Sequence, residues 1–182
     1  DPLATGLLIL CTGKMTKSIE SFQGQEKTYI GRLRLGSTTP SYDLETEVNA
    51  TFDYQHIKPE MLHEMAQKFT GDILQKPPIF SAIKKDGKRL YNLAREGKST
   101  EISARKITVF EFYLTQISLP DIDFQVRCSK GTYIRSLAHD FGAALQSGSH
   151  LIALERIAIG DYRLEHAMSI EDFRTKLIQK NR

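Results

Sequence analysis

The residues with chemical potential in this chain are carboxylates, tyrosines and arginines rather than metal ligands or activated nucleophiles. His56, His63, His139, His150 and His166 form no H-E-x-x-H or comparable zinc spacing. Cys11 and Cys128 offer neither ligand spacing nor a C-x-x-C redox pair. Gly6 to Lys14 has the outline of a phosphate loop, but six residues rather than four separate Gly6 from Gly13. Met15 then follows Lys14 where a magnesium-binding Ser or Thr would stand. There is no G-x-S-x-G elbow and no dinucleotide fingerprint. What remains suits redox-neutral chemistry without a metal or cofactor.

Two segments concentrate these groups. Cys128-Ser-Lys-Gly-Thr-Tyr-Ile-Arg135 runs from a strand end into a helix start, placing Arg135 about three residues inside the helix. A cation there opposes the helix macrodipole by a few tenths to about 1 kcal/mol, so it calls for an anionic partner. By local pattern it reads equally as a surface arginine or as one held by a carboxylate. Between Lys84 and Lys98, Lys84, Lys85, Lys88, Arg89, Arg95 and Lys98 face only Asp86 and Glu96. That run is the candidate anion-binding surface, although most charge runs are simply solvated.

The elements that must position these groups follow from periodicity. Glu26 to Gly36 alternates, with Tyr29, Gly31, Leu33 and Leu35 on one face and Ile30, Arg32 and Arg34 on the other, which predicts a half-buried strand. Val48, Ala50 and Phe52 suggest its antiparallel partner. Pro59 opens a predicted helix whose Met61, Leu62, Met65, Ala66 and Phe69 recur at helical spacing until Gly71. Pro77-Pro78 ends that unit, and the excursion to Gly97 is expected to carry a short amphipathic helix. Arg105 to Ile117, and Ile122, Phe124, Val126 and Cys128, predict two more strands. A helix over about 132–145 and a strand through Leu151 to Ile159 come next, and Ser169 to Asp172 has the pattern of a capping box before a last helix. Hairpin-like connections outnumber crossovers, so the expected class is α+β, with a mixed, mainly antiparallel sheet flanked by helices.

Length and composition bound the rest. The 182 residues suit one domain, and 40% apolar with 26% charged residues predicts a folded chain. A net charge of +3 does not announce a nucleic-acid binder. The longest apolar run, Leu7 to Cys11, is far too short to span a bilayer, and the cysteine usage suits a reducing cytoplasm. The chain opens on Asp-Pro rather than Met, and Leu3 to Cys11 reads as the interior of a buried element, so a truncated start is expected.

Asp1-Pro-Leu-Ala-Thr-Gly-Leu-Leu, with Gly13-Lys14 and Thr16-Lys17, resembles the catalytic segment of the TruB family of tRNA pseudouridine synthases. Three more matches follow in family order. Lys27-Thr28-Tyr29 is similar to the strand bearing the active-site tyrosine. Pro77 to Lys84, Gly87 to Tyr91 and Ala94 to Gly97 resemble the RNA-gripping thumb, an insertion over 77–98 in a single catalytic domain spanning 1–182. Ser129 to Arg135 matches the S-K-G-T-Y-I-R motif. The family's upstream G-H-x-G segment and its C-terminal PUA domain are expected to be missing.

The resemblance implies conversion of uridine to pseudouridine in the T-loop of tRNA, at the position conventionally numbered 55, with no cofactor, no metal and no obligate protein partner. It makes Asp1 the nucleophile and assigns Arg135 and Asp43 to its electrostatic support. An Asp with a pKa near ~3.9 is already ionised at neutral pH and needs aim rather than a general base. Tyr29 becomes the stacking platform and a candidate proton acceptor, with Tyr133, Leu154 and Lys130 as substrate contacts. Lys84, Lys85, Lys88, Arg89 and Arg95 become phosphate grips. Whether Asp1 attacks C1′ or C6 stays open. The alternatives are a catalytically silent tRNA-binding or folding module and an N-glycoside hydrolase.

Overall fold

The computed structural model describes residues 2–81, 84–85, 88–89 and 102–180, with the side chains of 84, 85, 88, 89, 177, 178 and 180 outside that description. Its frame is a seven-stranded sheet. Across it lie β1 (Thr5–Gly6), β10 (Ser149–Ile159), β2 (Lys27–Leu35), β9 (Asp121–Cys128), β8 (Arg105–Ser118) and β5 (Gly71–Gln75), with β11 (Tyr162–Arg163) pairing β10. Every pairing is antiparallel except β1 with β10. Two small hairpins stand apart: β3 (Ser37–Thr38) with β4 (Ala50–Thr51), and β6 (Lys84–Lys85) with β7 (Lys88–Arg89). This is the expected mixed, mainly antiparallel α+β architecture.

One face of the sheet makes the core. Leu33 and Leu35 of β2, Ile122, Phe124 and Val126 of β9, and Val109 and Phe112 of β8 all point to it. Against them pack α2 (Pro59–Lys68), through Leu62 and Ala66, and α3 (Ile134–Ala144), through Leu137, Ala138 and Phe141. Phe112 meets Phe124 and Phe141 edge-on, each at 5.6 Å between ring centroids, a geometry that aromatic quadrupoles favour. On the opposite face, Arg32 and Arg34 of β2 form two-pronged pairs with Asp123 and Asp121 directly across on β9. Strand β2 therefore alternates because one side meets the helices and the other meets charge.

Helix α2 starts on Pro59, whose missing N–H costs nothing in a first turn, with Glu60 and Lys68 complementing the dipole at its two ends. Helix α4 (Ile170–Lys180) is opened by Ser169, whose hydroxyl accepts from the Asp172 amide at 3.0 Å, so the expected capping residue is in place.

Two expectations are corrected, and one strand is new. The Val48–Phe52 segment does not pair with the Tyr29 strand. Only Ala50–Thr51 is strand, and it pairs with Ser37–Thr38, because β2 already has both edges occupied by β9 and β10. Leu3 to Cys11 is not a buried element: Leu7 is buried, whereas Leu3, Leu8 and Leu10 are 52%, 66% and 80% exposed. The segment runs along the sheet only at Thr5–Gly6 and Leu7, and Leu7 is its one buried side chain. Strand β5 was not anticipated; it adds to the edge of β8 through Gly71↔Val109 to Gln75↔Arg105. The helix expected within 77–97 falls largely outside the described residues.

Burial raises the Asp140 carboxyl of α3 to about 6, with Lys76 opposing. A carboxyl whose folded pKa lies above its unfolded one favours folding while protonated, so its penalty is absent below about pH 4, grows towards 6 and is complete above. Asp140→Asn is expected to raise the thermal midpoint at pH 7.5 and leave it unchanged at pH 4, as scanning calorimetry at the two pH values would show.

Candidate active site

Strand pairing assembles the site first. In the register of the sheet, Gly6 of β1 lies beside Arg156 of β10, and Arg156 lies beside Tyr29 of β2. The chain just after Asp1 is thereby brought into one row with the tyrosine strand. Gly6 is required there: its φ is +99°, and a Cβ would fall 2.3 Å from the Arg156 carbonyl oxygen. That close approach allows the Leu7 amide to donate to the Arg156 carbonyl at 2.7 Å, while Arg156 Nε donates to the Leu7 carbonyl at 2.8 Å.

A cavity of about 440 Å³ opens above this row, lined by Ala4 to Leu8, Tyr29, Thr132 to Arg135, Leu154 and Arg156. Its size is in the range of sites for small molecules, roughly 300–1,000 Å³. Of the residues singled out from the sequence, it brings together Tyr29, Tyr133, Arg135 and Leu154. Asp43 lies behind Arg135 rather than on the cavity. Lys130 lines a neighbouring hollow of about 470 Å³ with Lys27, Gly131 and Arg156. Asp1 and Arg95 lie outside the described residues. Lys84, Lys85, Lys88 and Arg89 are placed on the β6–β7 hairpin by their backbone alone.

Arg135 is the second residue of α3, one place earlier than expected, and its side chain is 6% exposed. A guanidinium is always charged, so burying it at the positive end of a helix demands compensation. Asp43, 2% exposed, supplies it at 3.3 Å, and Glu45 stands at 4.0 Å. The carbonyls of Phe80, at 2.7 Å, and Ser41, at 3.5 Å, accept further guanidinium protons. The turn carrying Asp43 is itself tied: Thr39 and Ser41 hydroxyls donate to the Asp43 carbonyl, and the Glu45 amide donates to Asp43 Oδ1 at 3.0 Å. The buried cation is thus aimed by a loop, a helix and the chain around Phe80 together.

The start of α3 is held by Gln75, a buried residue at the end of β5. Its side-chain oxygen accepts from the Tyr133 amide at 2.8 Å and its nitrogen donates to the Tyr133 carbonyl at 3.1 Å. Tyr29 is half-buried. Burial and then the neighbouring Cys128 push its phenol pKa up, while a hydrogen bond with Arg156 and that residue's charge pull it down. Burial also raises Cys128, to about 11, so it is a neutral core thiol at physiological pH. Among the described residues, no three His, Cys, Asp or Glu side chains gather as a metal site.

Glu45, Gln75 and Arg156 were not anticipated from the sequence. Glu45 had a faint signal, standing two residues after Asp43 on the same turn. Gln75 and Arg156 had none, since Gln75 acts through a side-chain hydrogen bond 58 residues along the chain and Arg156 through strand pairing across 127.

The sequence matches the profile of "TruB family pseudouridylate synthase (N terminal domain)" over residues 1–134. It is 60% identical over 177 residues to a protein of Flavobacterium johnsoniae named "tRNA pseudouridine synthase B", covering 97% of this chain and 77% of that protein. A protein of the same name from Phocaeicola vulgatus is 54% identical, with 95% and 74% covered. The fold is similar to a chain in the "Crystal Structure of a Cbf5-Nop10-Gar1 Complex", with a TM-score of 0.68 at 23% identity, spanning 94% of this chain and 42% of that one. It is also similar to a chain in an H/ACA RNP bound to a substrate RNA containing 2′-deoxyuridine, with a TM-score of 0.64 at 19% identity, over 94% and 41%.

Removing one partner of a buried pair leaves an uncompensated charge, at a cost of roughly 3–5 kcal/mol. Exposed partners contribute about 0–1 kcal/mol. Asp43→Ala is therefore expected to destabilise the fold several-fold more than Glu45→Ala, whose side chain is 30% exposed. Urea unfolding of the two variants measures the difference directly.

Proposed function

The chain belongs to the TruB family of pseudouridylate synthases, and from that premise we propose that it converts uridine to pseudouridine in tRNA, acting on the T-loop uridine at position 55. The observation that carries this reading is the cavity itself. It gathers Tyr29, Tyr133, Leu154 and the buried Arg135 beside the segment that follows Asp1. Related proteins named tRNA pseudouridine synthase B support tRNA as the substrate.

The reaction breaks the C1′–N1 bond of uridine and forms a C1′–C5 bond; C5 loses a proton and N1 gains one. No electrons are exchanged, so no redox cofactor is called for. Asp1 is the proposed nucleophile, ionised without help, at C1′ or at C6 of the ring. Arg135 is the proposed electrostatic support, with Asp43 and Glu45 fixing its orientation. A cation held in place before substrate arrives costs no reorganisation during the reaction.

The target base must leave its stack in the folded loop, at a cost of a few kcal/mol. Tyr29 offers a replacement surface and Leu154 an apolar wall. For Tyr29 to take the C5 proton its phenol must first be deprotonated, which burial resists and Arg156 favours. The basic residues Lys84, Lys85, Lys88, Arg89 and Arg95 are the proposed phosphate contacts, with Lys130 at the cavity's neighbour. No helix among the described residues is long and apolar enough to cross a membrane, and a cytoplasmic site of action is part of the proposal.

The test is tritium release from tRNA labelled at uridine C5. Release by the wild type and its loss in Asp1→Asn are expected; equal release in that variant refutes the assigned nucleophile. Tyr29→Phe is expected to keep the KM for tRNA and lower kcat by on the order of 10²–10⁴, the usual worth of a proton-transferring group, whereas Tyr29→Leu should raise KM as well. Neutralising one thumb base should weaken tRNA binding and lower the slope of log affinity against log salt by roughly 0.7–0.9, read by filter binding across a salt series.

A further inference from the structure

The turn that carries Asp43 has a second hold on α3, one residue earlier in the loop and one turn later in the helix. Tyr42 stacks on His139, with ring centroids 3.8 Å apart and planes inclined by 15°. Positions 135 and 139 are four apart on α3, so their side chains share a face. Consecutive loop residues, Tyr42 and Asp43, thus meet consecutive turns of one helix, the first through a ring and the second through a charge.

Tyr42 occupies this place against its backbone preference. Its φ is +66°, in the left-handed region that glycine and asparagine enter far more readily than a bulky residue. Both backbone groups are pinned, the amide donating to the Thr39 carbonyl at 3.1 Å and the carbonyl accepting from the Leu151 amide at 2.9 Å. A strained backbone persists where its surroundings over-determine it, and the stacked ring is the interaction that a glycine could not make. On the His139 ring, Nδ1 is buried without a hydrogen-bond partner, and the imidazole is otherwise held by a hydrogen bond with the Ser149 backbone. Burial lowers the His139 pKa, while burial and nearby Asp140 raise that of Tyr42, so two uncharged rings face each other at neutral pH.

We propose that Tyr42 and His139 are a positioning pair, fixing the Thr39–Thr46 turn against α3 so that the Asp43 carboxylate meets the Arg135 guanidinium in a single orientation. The pair touches neither the cavity nor a substrate. Its effect on the reaction rests on the activity proposed above; its effect on Asp43 does not.

The structure supplies a reporter independent of catalysis, because the Glu45 amide donates to Asp43 Oδ1 at 3.0 Å. Amide exchange and the chemical shift of Glu45 therefore read where that carboxylate sits. In Tyr42→Gly, which suits the left-handed backbone and so keeps the fold, Glu45 protection should fall about tenfold with the thermal midpoint nearly unchanged. His139→Leu should do the same, while Tyr42→Phe and His139→Phe, which keep a ring, should match the wild type. In tritium release, the two ring-removing variants should lose about tenfold to a hundredfold in kcat at constant KM, the scale of a small misplacement at a reacting centre. Wild-type Glu45 protection in Tyr42→Gly and His139→Leu overturns the proposal, as does an equal loss in the two phenylalanine variants. Absence of tritium release from the wild type refutes the proposed activity, and the amide measurement still decides this inference.

Discussion

A guanidinium that cannot give up its charge, buried at the positive end of α3, is the constraint from which the rest of the site follows. Arg135 can stay there only if carboxylates and carbonyls converge on it, and they come from two distant parts of the chain: Asp43, Glu45 and Ser41 from the turn after β3, and Phe80 from beyond β5. The loop is held at several points because it must deliver a charge to a fixed place. Buried ion pairs add little net stability, which agrees with the proposal that this one serves to aim a cation at the cavity that Arg135 lines.

The second half of the site depends on the sheet. A parallel contact of only two residues, Thr5 and Gly6, sets the N-terminal segment beside Arg156, and the antiparallel register then sets Arg156 beside Tyr29. The absence of a side chain at position 6 is what permits that approach. Rigid strands thus fix the tyrosine and the segment after Asp1, while a helix start clamped by Gln75 fixes the arginine. The cavity is the seam between these two supports.

Several elements were legible because their signal is local. The alternation of Leu33 and Leu35 with Arg32 and Arg34, the spacing of Leu62 and Ala66 after Pro59, and the Ser169 cap each reflect interactions within a few residues, and each appears where periodicity puts it. Strand β8 shows where such reasoning loses phase. Its buried residues run Ile107, Val109, then Phe112, because irregular pairing between Val109 and Glu111 shifts the alternation and leaves Phe110 41% exposed. The apolar run from Leu7 to Cys11 misled for a related reason: hydrophobic composition does not say how many strands will cover a segment.

Periodicity along the sequence determined the class of fold and picked out Arg135 at a helix start, and the resemblance carried by its motifs determined the family and pointed to Tyr29, Asp43, Tyr133 and Leu154 as residues worth following. Only the tertiary structure decided that Glu45 shares the arginine with Asp43, that Gln75 clamps the helix start, that Arg156 bridges the Tyr29 row, and that Tyr42 lies on His139. Those partners are 58 to 127 residues apart, Glu45 included, which lies two residues from Asp43 yet meets Arg135 90 residues on. Such contacts leave no local pattern, because what brings them together is the burial of other residues.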